Sequence, residues 1–291
     1  MDVHLIDGTY ELFRYYFALP SHVNGDGDEV GAIRGVLGSV LSLLEDGATH
    51  VGVATDHVIE SFRNDMWAGY KDGSGMEEGI LSQFHPLEDA LESMGVTVWP
   101  MVEFEADDAM GAGAVMAAAD DRVERVLICT PDKDLGQCVG GKIVQLDRRK
   151  GQIFDVDGVT EKFGVPPHLI PDYLGLVGDT ADGFPGLPGW GAKSTSTVLA
   201  HFGHLEDIPL DSSTWDIKVR GAAKLAATLA EEFDHAVLFR RIATIETDAP
   251  VSASVDELEW TGPREDFLDL SQRLDASGLA ERAAKLAAAR S

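Results

Sequence analysis

Nine carboxylates end or start separate apolar segments of this 291-residue chain: Asp7, Asp56, Glu105, Asp107, Asp108, Asp132, Asp134, Asp179 and Asp182. Three of those segments, VHLID, HVGVAT and RVLICT, are short β-rich runs that end in Asp or meet one within two residues, at Asp7, Asp56 and Asp132. Helical patterns lie between them, as in Ile33, Val36, Leu37, Val40, Leu41 and Leu44 at spacings of three and four. This alternation predicts an α/β fold, a mostly parallel sheet covered by helices on both faces. The ligand crevice of such a sheet lies at the carboxyl ends of its strands, which is where these Asp residues fall. A single strand-end Asp is more often a turn residue or helix cap. Three of three weaken that reading. So many anions brought together and left unpaired would repel by several kcal/mol, and divalent cations are the ordinary remedy. The chain therefore reads as a metal-dependent enzyme acting on a substrate that is itself anionic.

Composition sets wider limits. With 44% hydrophobic residues the chain can bury a full core in one large domain or two smaller ones. No stretch approaches the roughly 18 consecutive apolar residues that cross a bilayer, and the start MDVHLIDGTYELF has no basic segment before an apolar run, so a cytoplasmic protein without membrane partners is expected. Cys129 and Cys138 lack metal-ligand spacing and read as reduced structural thiols. The formal net charge of -27 argues against phosphate binding at first sight. Affinity depends, however, on a local basic stripe rather than on the sum over the surface, and acidic metal sites contribute to the excess.

Glu105 and Asp108, three residues apart before the helical stretch AMGAGAVMAAA, share one helix face and can bridge a cation, although acids in a first helical turn are common for the macrodipole alone. Asp132-Lys133-Asp134 puts two acids at one sheet edge or is a simple turn. From about Val165 the pattern changes to helices joined by Gly/Pro punctuation. The connector TADGFPGLPGWGA opens onto a helix N-terminus that can bind phosphate, or is a plain loop. In ESFRNDMWAGYKDGSGMEEGILSQF, Arg63 and Lys71 interleave with Phe62, Trp67 and Tyr70. That mixture suits base stacking and phosphate contact, and suits core packing of the aromatics equally well.

Five motifs in order, LIDGTYELFRYYFAL, SFRNDMWAGYK, FEADDAM, TPDKDLGQ and LVGDTADGFPGLPGWGAKST, with GVPPHLIPDYLGL before the last, resemble the 5′-nuclease family of flap endonucleases, phage exonucleases and the N-terminal nuclease domain of bacterial DNA polymerase I. The resemblance runs from residue 3 to about 203 and continues to about 248. It implies a PIN-like sheet with a helical arch (about 58–95) within a nuclease core over 1–164. A helical DNA-binding subdomain over 165–291 would follow, with a helix-three-turn-helix at about 171–203. All nine acids match the family's metal-binding positions. Lys71, and less securely Arg63 and Tyr70, match the arch residues that face the scissile phosphate. Arg14, Gly186, Gly189, Gly191, Lys193 and Ser194 join Arg63, Tyr70 and Lys71 as implied DNA contacts, with a potassium ion at the glycine-rich turn. Ser74 departs from the pattern, standing where the family carries Arg. With no polymerase motifs in the sequence, the chain is expected to act as a stand-alone nuclease and a monomer.

The chemistry expected is hydrolysis of a DNA phosphodiester at a 5′ end or flap by two cations about 4 Å apart, leaving a 5′ phosphate. Oxygen-only ligands suit Mg²⁺ or Mn²⁺ rather than zinc. Asp7, Glu105, Asp108 and Asp132 are assigned to one ion, and Asp134, Asp179 and Asp182 to the other. Asp7 and Asp108 are counted with Lys71 and Arg63 as catalytic, Lys71 acting as a clamp on the reacting phosphate. Two rivals remain: a non-catalytic DNA-junction binder, suggested by Ser74 and the acidic surface, and a phosphatase-like hydrolase, which lacks a nucleophile motif.

Overall fold

The computed structural model describes residues 1–290. Elements are numbered along the whole chain, and its packing forms two compact units. The first comprises residues 1–59, 73–130 and the chain from Glu246 onward; the second comprises 60–72 and 131–245. This grouping differs from the expected division after residue 164.

In the first unit β1 (Asp2–Asp7), β2 (His50–Asp56), β3 (Thr97–Met101) and β4 (Arg125–Cys129) are mutually parallel, β1 lying between β2 and β4 and β2 pairing with β3. Val3, Leu5, Ile6, Val51, Val53, Val126 and Ile128 are fully buried, as expected for parallel strands covered on both faces. The connecting helices are α1 (Gly8–Ala18), α2 (Gly31–Glu45), α4 (Glu78–Leu81), α5 (Phe84–Ser93) and α6 (Ala106–Ala118). The α2 stripe Ile33, Val36, Leu37, Val40, Leu41 and Leu44 is buried as its spacing predicts. Helix α6 packs on β1, β2, β3 and β4 through Ala109, Gly113 and Ala117, small residues that permit close approach.

The last helices, α12 (Phe267–Arg273) and α13 (Ser277–Arg290), pack in this unit, whereas the resemblance groups them with the helical DNA-binding part. Specific bonds hold the segment here. The Trp260 indole N–H donates to the Met94 carbonyl at 2.9 Å, Ser93 Oγ to Asp266 at 2.9 Å, and Arg282 pairs with Glu45 at 2.6 Å.

The second unit contains α3 (Phe62–Met66), the antiparallel hairpin β5 (Ile143–Asp147) and β6 (Gln152–Phe154), α7 (Val156–Phe163), α8 (Ile170–Val177), α9 (Ala192–Phe202), α10 (Ala222–Glu231) and α11 (Phe233–Ala243). Helix α8 packs on α9 and α11 around Ile170, Leu174, Leu176, Phe184, Val198, Leu199 and Phe239. The α8–turn–α9 element falls where the helix-three-turn-helix is expected. Helical structure across 58–95 is shorter than a continuous arch: α3 has five residues and α4 four, and 67–77 between them contains Gly69, Gly73 and Gly75 without a helix. Among the described residues no helix is long and apolar enough to cross a membrane.

Gly8 sits where β1 turns into α1 against β2. A Cβ there would meet the Ala54 carbonyl oxygen at 2.9 Å and the Val53 and Thr55 methyls at 2.8 Å. Backbone cannot retreat from such an intrusion without moving the strand end. Gly8→Ala is therefore expected to destabilise the fold by about 1–3 kcal/mol, read as a lower urea midpoint at unchanged slope.

Candidate metal centre

Strand ends and one helix start assemble the acids of the first unit. Asp7 closes β1 and also caps α1: its Oδ1 accepts the Tyr10 N–H at 2.8 Å and its Oδ2 the Thr130 hydroxyl at 3.0 Å. The cap reading and the site reading thus coexist in one residue. Parallel pairing puts Asp7 opposite Ala54, so Asp56 lies just beyond it at the end of β2. The Asp56 N–H donates to Thr9 Oγ1 at 2.8 Å, and its Oδ1 accepts the Ala106 N–H at 2.8 Å. That bond ties the strand end to the first residue of α6, next to the buried Glu105, where the positive end of the helix dipole favours anions.

Asp108 is fully buried. Its Oδ2 accepts the Glu105 N–H at 3.0 Å and its Oδ1 the Glu246 N–H at 2.9 Å. It therefore braces the α6 start, and replacing it would disturb the fold as well as any ion. Asp107 is half-buried on the same helical turn.

The second unit holds the tighter cluster. Asp134, Asp179 and Asp182 each offer a carboxylate oxygen, all within 4.8 Å of one another. Asp134 opens a 3-10 turn (Asp134–Cys138), its N–H bonded to Asp132 Oδ1 at 3.0 Å, while Asp132 itself is exposed. Asp179 follows α8 in a tight loop, closed by Asp179 N–H to Phe184 O at 2.8 Å and Phe184 N–H to Asp179 O at 3.0 Å. Gly178 (φ 81°) and Gly186 (φ 65°) face each other across it, and a Cβ on Gly186 would lie 2.3 Å from the Gly178 nitrogen. Trp67 Nε1 donates to Gly183 O at 3.1 Å and the Lys71 N–H to Asp182 O at 2.9 Å, so the 67–71 segment holds the loop in place.

Two lysines occupy the cluster. Lys71 Nζ lies 3.1 Å from Asp182 Oδ1, and Lys133 Nζ pairs with Asp179 Oδ2. Burial pushes the Asp134 carboxyl well above the ordinary aspartate range, and Asp132, Asp182 and Asp179 push it further while Lys133 opposes. Burial also works against charge on Lys133, but its bond to Asp179 and the field of Asp134 outweigh this and raise its pKa.

Asp134 Oδ1 is buried with no hydrogen-bond partner. An orphaned carboxylate oxygen, among three carboxylates that would otherwise repel, fits a hard divalent cation taking oxygen ligands.

The remaining residues expected to contact substrate have different surroundings. Arg63, expected to face the scissile phosphate, is 2% exposed. Its Nε donates to Ile242 O at 2.8 Å and its Nη2 to Thr244 O at 3.0 Å, so it closes the carboxyl end of α11. Tyr70, expected to contact DNA, is a buried member of the second unit's core. Arg14 pairs with Glu11 and lies 4.0 Å over the Tyr15 ring. Gly191, Lys193 and Gly189 are exposed at or near the α9 start, Gly186 is buried in the turn, and Ser194 Oγ accepts the Gly191 N–H at 3.1 Å. Sequence reasoning missed Lys133, Thr130 and Trp67 as supports. Lys133, flanked by two assigned acids, was the one with a readable signal.

Comparison with known proteins decides the family. The family model described as "5'-3' exonuclease, N-terminal resolvase-like domain" matches residues 2–164, and "5'-3' exonuclease, C-terminal SAM fold" matches 165–266. The chain belongs to the 5′-3′ exonuclease family. A 5′-3′ exonuclease of Buchnera aphidicola subsp. Baizongia pistaciae is 32% identical over 262 residues, covering 89% of this chain and 86% of that protein. DNA polymerase I of Pseudomonas aeruginosa is 35% identical over 274 residues, 91% of this chain but 29% of the polymerase. The chain thus spans under a third of that relative's length. Among solved structures, T5 5′-exonuclease with bound divalent metal (zinc) superposes with TM-score 0.68 at 19% identity, covering 95% of this chain and all of that one. The catalytic core of Rad2 in complex with DNA substrate gives 0.62 at 15%, covering 97% and 91%. Those two show the shared fold.

Two outcomes follow for this family member. Burial and the neighbouring carboxylates favour the neutral form of Asp134, so Mn²⁺ affinity is expected to weaken as pH falls, with proton release visible by calorimetry in buffers of different ionisation enthalpy; Asp134→Asn should reduce the release. Lys133 stands in for a cation. Lys133→Met is therefore expected to lower the melting temperature without metal and to enlarge the gain on adding Mn²⁺, measured by thermal denaturation.

Proposed function

We propose that this chain is a structure-specific 5′ nuclease that uses Mg²⁺ or Mn²⁺ to hydrolyse DNA phosphodiesters at a 5′ flap or 5′ end, leaving 5′-phosphate products. The observation that carries the reading is the group Asp134, Asp179 and Asp182, within 4.8 Å of one another and including a buried oxygen without a partner. Family membership supports the reaction class. The DNA in the Rad2 complex and the metal ions in the T5 enzyme support the substrate and cofactor.

In this reading Asp134, Asp179 and Asp182 hold one ion, and Asp7, Glu105 and Asp108 serve another, with Asp56, Asp107 and Asp132 acting directly or through water. Bound divalent ions supply an activated water at neutral pH and neutralise charge on the leaving oxygen. The chain's own residues do the rest. Lys71 is held by its backbone N–H to the Asp182 carbonyl and by its ammonium to the Asp182 carboxylate, so it would offer a cation to a substrate phosphate beside the residues that would hold the ion. The α9 start, where the Gly191 N–H is taken by Ser194 Oγ, offers the N–H groups of Ala192, Lys193 and Ser194 and the Lys193 cation to duplex phosphates. Carbonyls of the Gly186–Gly189 turn would take a potassium ion. Nothing in this arrangement reads bases, so selection by strand ends and shape follows.

The test is cleavage of a 5′-flapped duplex and a blunt duplex, each with and without Mn²⁺. Metal-dependent cleavage of the flap is expected, and Asp134→Ala should reduce it beyond the roughly 10–100-fold typical of outer-shell losses. Duplex binding without turnover in either metal would replace the nuclease reading with that of a junction binder.

A further inference from the structure

Thr55 and His57, the residues on either side of Asp56, are both held by one carboxylate that plays no part in the chemistry above. Glu88, on α5, is 6% exposed. Its Oε1 accepts the Thr55 hydroxyl at 2.7 Å, and its Oε2 lies 2.7 Å from His57 Nδ1. The His57 ring stacks on His85, with centroids 4.1 Å apart and planes 13° apart, and His85 Nε2 donates to the His57 carbonyl oxygen at 3.1 Å. A carboxylate acceptor assigns the proton of His57 to Nδ1. The 55–57 turn is therefore fixed at a hydroxyl, an imidazole and a carbonyl, all from α5.

Packing does not account for the choice of side chain. The neighbouring α5 positions Phe84, Leu87 and Leu91 are buried and apolar, and an apolar side chain at 88 would join them. A buried carboxylate instead costs desolvation. What it gains is direction. Asp56 Oδ1 is taken by the Ala106 N–H, and the path of the chain at 55–57 sets where the other oxygen points.

We propose that Glu88 is a positioning residue for Asp56 as a metal ligand, acting through Thr55 and His57. The inference rests on the nuclease reading above. It is tested by titrating the full chain with Mn²⁺ in the Asp134→Ala background, which removes the buried ligand of the second-unit cluster. Glu88→Ala is expected to weaken Mn²⁺ binding by about 10–100-fold, as losses of outer-shell partners do. Thr55→Val, which removes one tether, should give a smaller loss. Glu88→Gln, whose amide can accept from Thr55 and donate to the other tautomer of His57, should stay near the parent.

With Asp134 restored, Glu88→Ala should lower kcat on a 5′-flapped duplex at limiting Mn²⁺ and recover at high Mn²⁺, with KM for DNA unchanged. A purely structural role would not show that recovery. Parental Mn²⁺ affinity in Glu88→Ala overturns the proposal, and where that variant fails to fold, parental affinity in Thr55→Val does so. A parent that binds no Mn²⁺ overturns the metal assignment of the first-unit acids itself, which separates the two failures.

Discussion

Like charges gathered at the carboxyl ends of parallel strands are the constraint on which this structure depends. Two carboxylates about 4 Å apart repel by about 4 kcal/mol at an effective dielectric constant near 20, and burial raises the figure. The protein offsets this in two ways. In the first unit the acids take backbone N–H groups: Asp7 at the start of α1, Asp56 and Asp108 at the start of α6. In the second unit Asp179 takes the Ala181 N–H, Lys71 and Lys133 supply positive charge, and the Asp134 carboxyl is pushed above the ordinary aspartate range. The unit with the unresolved electrostatic problem is the one whose geometry best fits a cation.

The loop of the second cluster is held by close backbone packing and by side chains of the 60–72 segment. Gly178 and Gly186 let two backbone strands approach more closely than any Cβ permits, and this places Asp179 and Asp182 on one short loop. Arg63, Trp67 and Tyr70, the residues that give 60–72 its basic and aromatic character, serve the same end. Arg63 closes α11, Trp67 holds Gly183, and Tyr70 fills the core. Lys71, the residue of that segment proposed to meet phosphate, has its backbone N–H anchored to the Asp182 carbonyl of that loop.

How much could be read in advance depended on whether a residue's duty is local. Asp7 and Asp56 were legible because strand periodicity and a terminal acid are local signals, and the parallel sheet they imply is observed. The α2 stripe was legible for the same reason. For Tyr70 the sequence left core packing and stacking open, and for Arg63 it gave no sign of the helix end 179 residues away that it meets, because a basic or aromatic side chain looks the same in sequence in either place. The packing of the last two helices was not legible either: the Trp260 indole and the guanidinium of Arg282 choose their partners across more than 160 residues, and no short-range pattern encodes that.

Sequence alone determined the α/β alternation, the positions of the acids on it and, through five ordered motifs, the family. Those follow from periodicity and local chemistry, which act over a few residues. Tertiary structure alone decided which charges are neutralised and by what: Asp108 by two amides, Asp179 by Lys133, Asp182 by Lys71, and one oxygen of Asp134 by nothing in the chain. Electrostatic energy depends on distance and burial, and both exist only once the chain has folded.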